Sequence, residues 1–565
     1  MRLARWSFLV VTWMVPVGDL RADEHVYVRS GDAHEWAVRE APLPEVTFGA
    51  VAARIFERRP AAAEAAEPPA YRPPVTLPVA LDTSHARVAA LLLHRSFTVG
   101  SEADSLRVFT LRARYLDGFV AAVNGTEIVR RNLAADASPD ALAARTHGTE
   151  WESFYVSVPS GLVHAGPNDL TLEARPSAAR LAPLVDVELS ASDLGHIIRG
   201  PIVQRVGERS ATVVFETDLP MLGEVRWGTA ASSYDRRVSD GEAATRHALT
   251  LEGLPRDQEI HYQAAATMEP GAADDPSADF AFHVAPAAGE VVRFVVYGDV
   301  RGGHEVHGEI TRAALGEAPD FVVSTGDMVQ RGIDEADWQR YFAVSRDLLA
   351  RIPVYPVIGN HDTGGGGEGA GRRLEDAFAL PDRPEGCPPG AAWYSFEVGG
   401  VHVVILDSNR YEDERQLAWL RADLTAARAG GARAIFAAAH HGPYSRGPHG
   451  GEPTAAARYA PVLAAAGASL FFSGHDHLYE RGEVGGLGYV VSGGGGAPLY
   501  APRCGTPGKP ACKPDGARMV VSVHHYVVVE VYRDYFTLCA KRPDGTPVEA
   551  CVRQELPAPA TTGTR

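Results

Sequence analysis

The chain has 565 residues, too many for one compact core, so two to four domains are expected. Hydrophobic residues at 45% and charged residues at 22% are ordinary for a water-soluble globular protein. A formal net charge of −17 excludes general nucleic-acid binding, which shows a basic footprint, but it does not fix the sign of a pocket that binds cations.

The amino end carries Arg2 and Arg5, the apolar run Trp6–Val17, and Leu20-Arg21-Ala22 before the acidic Asp23-Glu24. A basic start and a short apolar core read as a secretory signal peptide over residues 1–22, with cleavage near Ala22. Pro16 and the shortness of the run argue against a spanning helix, and no other stretch is long and apolar enough. A secreted or periplasmic protein is expected, not an integral membrane one.

Residues 23–87 read as an irregular or linker region leading into a first sandwich, with Pro60–Pro78 rich in Ala, Glu and Pro. Short β runs follow over 88–192: Leu91–Leu93, Phe97–Val99, Val108–Leu111, Phe119–Val123, Thr126–Val129, Phe154–Val158 and Leu170–Ala174. Asn124-Gly125 between two of them is a type I′ hairpin signal, because both residue types tolerate positive φ. Asn124-Gly125-Thr126 is also a glycosylation sequon, but the turn is the better reading. Regular short strands imply an antiparallel sandwich. Tyr115–Phe119, Asn124–Ile128 with Arg130, and Gly166–Leu170 resemble the jelly-roll, galactose-binding-like modules of secreted hydrolases, which implies a glycan contact for this domain.

A second β unit is expected over 196–287, from Ser210–Phe215, Gly223–Gly228, Arg246–Leu254 and Ile260–Ala265. Arg199-Gly200-Pro201, Val214–Thr217 and Val225–Thr229 resemble the fibronectin type III-like domain that precedes the catalytic domain of purple acid phosphatases. Pro270–Asp279 reads as a loop.

From 290 to 555 strands alternate with helical segments at Glu305–Leu315, Glu335–Ala350 and Gln416–Arg428, which implies a layered α/β domain. The complete expectation is multidomain: two N-terminal all-β sandwiches, then a layered α/β (α-β-β-α) domain, and a flexible tail at 556–565. Five cysteines are present. Cys504 with Cys512 and Cys539 with Cys551 read as two local disulfides that leave Cys387 over, and other pairings stay open.

Five apolar runs in this last region end in polar residues. Val291–Tyr297 is followed by Gly298-Asp299, and Phe321–Thr325 by Gly326-Asp327. Pro353–Ile358 precedes Gly359-Asn360-His361-Asp362, Ala434–Ala439 precedes His440-His441, and Ser469–Ser473 precedes Gly474-His475-Asp476-His477. Strand tips gather functional groups in α/β folds. Two carboxylates, an amide oxygen and three imidazoles would make a site for two metal ions. Asp327 is the natural bridge. On an extended segment His475 and His477 would point the same way. His361 is placed to donate a proton, with Asp362 holding its imidazole.

The ordered set resembles the calcineurin-like metallophosphoesterase superfamily, whose motifs run GD, GD, GNH[DE], a strand-terminal His and GHxH. The resemblance implies Asp299, Asp327 and His477 as ligands of a first metal, and Asp327, Asn360, His440 and His475 as ligands of a second. It implies His361 as the phosphate-facing acid. His440 is chosen over His441 from the phrase His440-His441-Gly442-Pro443-Tyr444, and His449 resembles a substrate-facing histidine of purple acid phosphatases.

Two departures stand out. Where purple acid phosphatases carry a metal-binding Tyr, this chain has Gln330, and where other members carry a His after the first Asp, it has Arg301. His307 is the preferred replacement ligand, and Arg301 the alternative phosphate clamp. The implied function is a secreted phosphomonoesterase with two divalent or trivalent ions (Fe, Zn or Mn). A phosphodiesterase or nucleotidase remains an alternative, as does a degenerate surface-binding protein.

Overall fold

The computed structural model describes residues 24–28, 36–42, 72–75 and 88–556, except 136, 138–140, 148–149, 179–183, 269–274, 364–371, 383, 386, 389 and 505–515. The expected leader, Cys512 and most of the expected tail lie outside the described residues. The chain divides into two compact units, residues 1–195 and 196–565.

The first unit is all β. One antiparallel sheet runs in the order Glu24–Val28, Leu184–Ser192, Val108–Leu116, Trp151–Ser157. The other runs Arg72–Val75, Trp36–Pro42, Val88–Val99, Gly166–Arg175, Gly118–Val123, Thr126–Arg131. Alternation decides which faces meet: Phe109, Leu111, Ala113 and Tyr115 are buried together with Leu91, Leu93, Phe119, Ala121, Leu170 and Leu172. Strands Glu24–Val28, Trp36–Pro42 and Arg72–Val75 come from the stretch read as irregular. They are short, and prolines break the latter two, so they give little period to read. At the Asn124-Gly125 turn both φ values are positive, 47° and 79°. The Asn124 side chain donates to Leu162 O (2.9 Å) and accepts from Asp169 N (2.8 Å), so the turn reading holds.

The second unit opens with a small sandwich built on one 19-residue strand, Ser210–Gly228. Its first half pairs with Ile197–Gln204 and Ala244–Glu252; its second half pairs with Arg236–Ser239 and Ile260–Thr267. This sandwich shares a core with the α/β region, since Ile202 and Val214 pack in one cluster with Phe342, Leu349 and Val354. Polar bonds pin it: Gln204 Nε2 donates to Val354 O (3.1 Å), and the Tyr262 hydroxyl to Ala350 O (2.7 Å). Arg199 bridges Glu216 (3.0 Å) and Glu335 (2.7 Å).

The α/β region has two sheets. The first runs Val354–Pro356, Phe321–Ser324, Val292–Tyr297, Tyr526–Val531, Tyr535–Lys541, Val552–Glu555. The second runs Tyr394–Val398, Val401–Ile405, Ala434–Ala438, Leu470–Ser473, Leu487–Ser492, Tyr479–Val484, Ala517–Val521. Inner positions are aromatic: the Phe294 ring meets Phe436 at 5.2 Å and Phe472 at 6.0 Å, and Phe436 meets Phe536 at 5.6 Å. The alternate positions face helices. Val295 and Tyr297 pack under α1 (His304–Gly316) and α2 (Glu335–Leu349). Ile435, Ala437 and Phe471 pack under α3 (Glu414–Ala429) and α4 (Ala460–Ala465). Strands covered on both faces are almost wholly apolar, Arg293 being an exception, which is why each reads as a near-continuous run. The result is the expected α-β-β-α layering behind all-β domains.

Cys539 and Cys551 form a disulfide, as the spacing suggested, and Cys504 is also disulfide-bonded. No described helix is long and apolar enough to cross a membrane.

Candidate metal centre

All five tips meet. Asp299 and Asp327 follow adjacent parallel strands, and their loops are tied together by Asp299 N to Gly326 O (2.8 Å) and Val300 N to Asp327 O (3.1 Å). Asp299, Asp327 and His475 all take positive φ (57°, 52° and 68°), which turns their side chains across the strand ends. Behind them the Gly493–Gly496 run allows backbone contact. A Cβ on Gly495 would lie 2.2 Å from Gly298 O, and one on Gly303 1.8 Å from Gly496 O.

His440 is fully buried. Its Nδ1 donates to Thr325 O (2.9 Å), which leaves Nε2 facing Asn360 Oδ1 at 3.0 Å and Asp327 Oδ1 at 3.4 Å. The His475 ring lies 5.1 Å from that of His440 and 4.2 Å from that of His441. Ligand atoms of His440, His441 and His475 lie within 4.8 Å of one another, as do those of Asp299, Asp327 and His440. On the other side, both oxygens of Asp299 accept from His475 N (3.1 and 3.0 Å), and His477 Nε2 lies 3.5 Å from Asp299 Oδ1. His477 Nδ1 donates to Pro498 O (2.7 Å), and its ring stacks on Tyr500 at 4.0 Å.

The electrostatics suit a cation. Burial raises the Asp299 carboxyl, and the charge of Asp327 adds to that against the pull of His440 and His477. Burial also pushes Asp327 upward, but His440, His361 and Arg301 overcome it and hold it below the usual carboxylate range. His440 moves the other way: burial opposes its charge, yet Asp327 and Asp299 win and the net is upward. Burial, with His440 beside it, drives His441 down to about 3 and His475 lower still, so both stay neutral with lone pairs to offer. Two carboxylates removed from water beside neutral imidazoles are tolerable with a positive charge among them. The oxygen and nitrogen set Asp327, Asn360, His440 and His475 therefore fits a divalent cation, and His441 stands next to it.

The structure corrects three of the expected details. Asp362 does not hold the His361 imidazole. Its Oδ1 accepts from Met328 N (2.9 Å) and Val329 N (3.2 Å), and its Oδ2 from Asp327 N (2.9 Å) and Gly359 N (2.8 Å). Burial, then Asp327, pushes this carboxyl up to about 7 against the pull of those N–H groups. The His361 ring is held instead by the Gln330 carbonyl, 2.8 Å from Nδ1, with Gln330 Nε2 at 3.5 Å.

His307 is not brought to the site. It sits on the buried face of α1 with Ile310, Thr311 and Ala314, stacked on Tyr341 at 5.6 Å with Nε2 3.5 Å from Ser345 Oγ. Burial lowers its pKa to about 3. The segment Gly474–His477 is not extended, since Asp476 N bonds Gly474 O and Leu478 N bonds Asp476 O. Two tight turns and the left-handed His475 aim its rings, not strand alternation. His441 lies beside the ligands, its Nδ1 2.8 Å from Ser408 Oγ.

His449 does reach the rim of the site. Its Nδ1 lies 2.9 Å from Asp476 Oδ1 and its ring 4.2 Å from His475. Arg301 reaches inward, and Gln330 is its partner: Nη1 donates to Gln330 Oε1 at 3.1 Å. Tyr500 stacks on His477, Ser408 bonds His441 and Asp476 bonds His449, and sequence reasoning assigned these three nothing. Asp476, between two histidines, carried the one readable signal.

Residues 292–479 match the family model described as Calcineurin-like phosphoesterase. The chain is similar to human tartrate-resistant acid phosphatase type 5, 26% identical over 38% of this chain and 75% of that protein. The rat protein of the same description is 28% identical over 33% of this chain and 64% of its own length. Among solved structures, purple acid phosphatase PPD1 from yellow lupin is similar in fold, with a TM-score of 0.57 at 15% identity, covering 82% of this chain and 92% of that one.

Proposed function

We propose, for a chain that carries a calcineurin-like phosphoesterase domain, that the protein is a metal-dependent phosphomonoesterase exported from the cell. The observation that carries this reading is the convergence of His440 Nε2, Asn360 Oδ1 and Asp327 Oδ1 from three strand ends. A cation bound there supplies Lewis acidity toward a phosphoryl oxygen and a nucleophile available at neutral pH. Asp327, Asn360, His440 and His475 would hold it. The finer expectation of a second ion rests on Asp299, Asp327 and His477, where the Arg301 side chain also lies.

The chain's own groups divide the remaining work. His361 keeps its Nδ1 proton on the Gln330 carbonyl, so Nε2 is the atom that can give a proton to the departing ester oxygen. His449, at the rim, is a donor for a non-bridging oxygen. Export is supported by the Cys539–Cys551 disulfide, a bond that persists in oxidising compartments.

The test is hydrolysis of p-nitrophenyl phosphate against its bis ester, by metal-loaded and chelator-treated protein, with His361→Ala alongside. Metal-dependent turnover of the monoester, reduced in His361→Ala, is expected. Faster turnover of the diester would replace the monoesterase assignment with a phosphodiesterase one. No turnover of either ester by metal-loaded protein would remove the enzymatic reading.

A further inference from the structure

We propose that the Arg301 guanidinium is a built-in cation standing in for one of two metal ions, so that the centre holds a single exchangeable metal at Asp327, Asn360, His440 and His475. The proposal rests on the phosphoesterase reading above. Arg301 Nε donates to Asp327 Oδ2 at 3.1 Å, and its Nη2 lies 3.4 Å from His477 Nε2. These two atoms belong to the residues that would otherwise share an ion with Asp299. With Nδ1–H committed to Pro498 O, His477 presents the lone pair of Nε2, and the guanidinium is the positive group facing it.

Three further observations fit. The Arg301 side chain is only 15% exposed, so it is packed into the centre and not waving above it. The third donor, Nη1, is taken by Gln330 Oε1. The two places where this chain departs from its relatives' motifs therefore touch one another and form one feature. Neither is turned to a metal: a guanidinium has no lone pair, and the Gln330 oxygen is directed at Arg301 Nη1. Finally, an ion between Asp327 Oδ2 and His477 Nε2 would need ligand distances near 2.1 Å. The guanidinium already spans those two atoms, and two positive groups cannot both occupy that gap.

A guanidinium also differs from a metal in what it does. It cannot be removed by chelation, it carries one charge at every working pH, and its planar fork bonds two oxygens at once.

The experiment is metal analysis on the full chain reconstituted with manganese, read together with the electron paramagnetic resonance spectrum. Wild type is expected to carry about one ion per chain with the spectrum of an isolated ion. Arg301→His and the double variant Arg301→His/Gln330→Tyr, which restore lone pairs, are expected to carry about two, with an exchange-coupled spectrum. Arg301→Lys, which keeps the charge, should stay near one. About two coupled ions in wild type would overturn the proposal while leaving the phosphoesterase reading intact. So would failure of the double variant to gain an ion. Wild type that binds no manganese and hydrolyses no ester would remove both.

Discussion

Asp362→Asn is the sharpest single test of how the centre is held. The Asp362 carboxyl is buried and receives four backbone N–H groups, two per oxygen, from the Gly326-Asp327 loop and from Gly359. An amide keeps one oxygen and points an NH2 at two donors that then have no acceptor. Above about pH 8, where this carboxyl is ionised, hydrogen bonds to a charged group are each worth about 1.5–3 kcal/mol, so losing two costs about 3–6 kcal/mol. The unit concerned spans residues 196–565, about 370 residues. Unfolding entropy near 2.1 cal/mol/K per residue then turns that cost into a fall in Tm of about 4–8 °C. Differential scanning calorimetry reads the shift. Metal content should fall with it, because Asn360 and Asp327 sit on the two loops that Asp362 joins. A shift under about 1 °C with unchanged metal content would refute the argument: the four N–H groups would then not be held by a charge.

Three other outcomes are expected. His361→Gln should lower kcat for phenyl phosphate by about 100- to 10,000-fold, and by much less for p-nitrophenyl phosphate, whose leaving group needs little protonation; equal losses would mean that His361 binds substrate and donates nothing. Tyr262→Phe should destabilise the second unit by about 1–3 kcal/mol, because the Ala350 carbonyl at the end of α2 loses its buried donor; denaturant unfolding reads this, and an unchanged midpoint contradicts it. Asp320 has its carboxyl pushed up by burial to about 6, so the native state keeps this proton to higher pH than the unfolded chain. Stability from this group is full below about pH 4 and is lost as pH rises through about 6. Asp320→Asn should flatten that part of the pH–stability curve, and a profile of unchanged slope would speak against it.

The strand ends were legible because doubly covered strands are almost wholly apolar and the polar residue that ends each run is conspicuous. The layered α/β character followed from the alternation with helices, and its α-β-β-α arrangement from the family resemblance. What was not legible depends on direction, which spacing does not encode. His307 was readable in principle: Ile310, Thr311 and Ala314 lie at the helical spacings that mark a core face, and His307 lies on it. Asp362 was not, because three of its four partners are backbone N–H groups of a loop more than 30 residues away in sequence. The turn geometry of Gly474–His477 was hidden although its bonds are local. A left-handed histidine leaves no mark in the order of residues. Arg301 and Gln330 were visible only as departures, and their contact emerges from the fold.

The backbone at His475 sets two demands against each other. An L-residue with a β-carbon held at φ 68° gives up about 1–2 kcal/mol relative to a right-handed conformation, a penalty glycine does not incur. Its ring is neutral, half-buried and crowded by three other imidazoles, so the fold alone gains little from it. A library of this chain sorted purely for thermal survival should therefore drift toward glycine at 475, and one sorted for turnover should not. Divergence between those two selections at a single codon would mark the histidine as retained for chemistry at the expense of robustness.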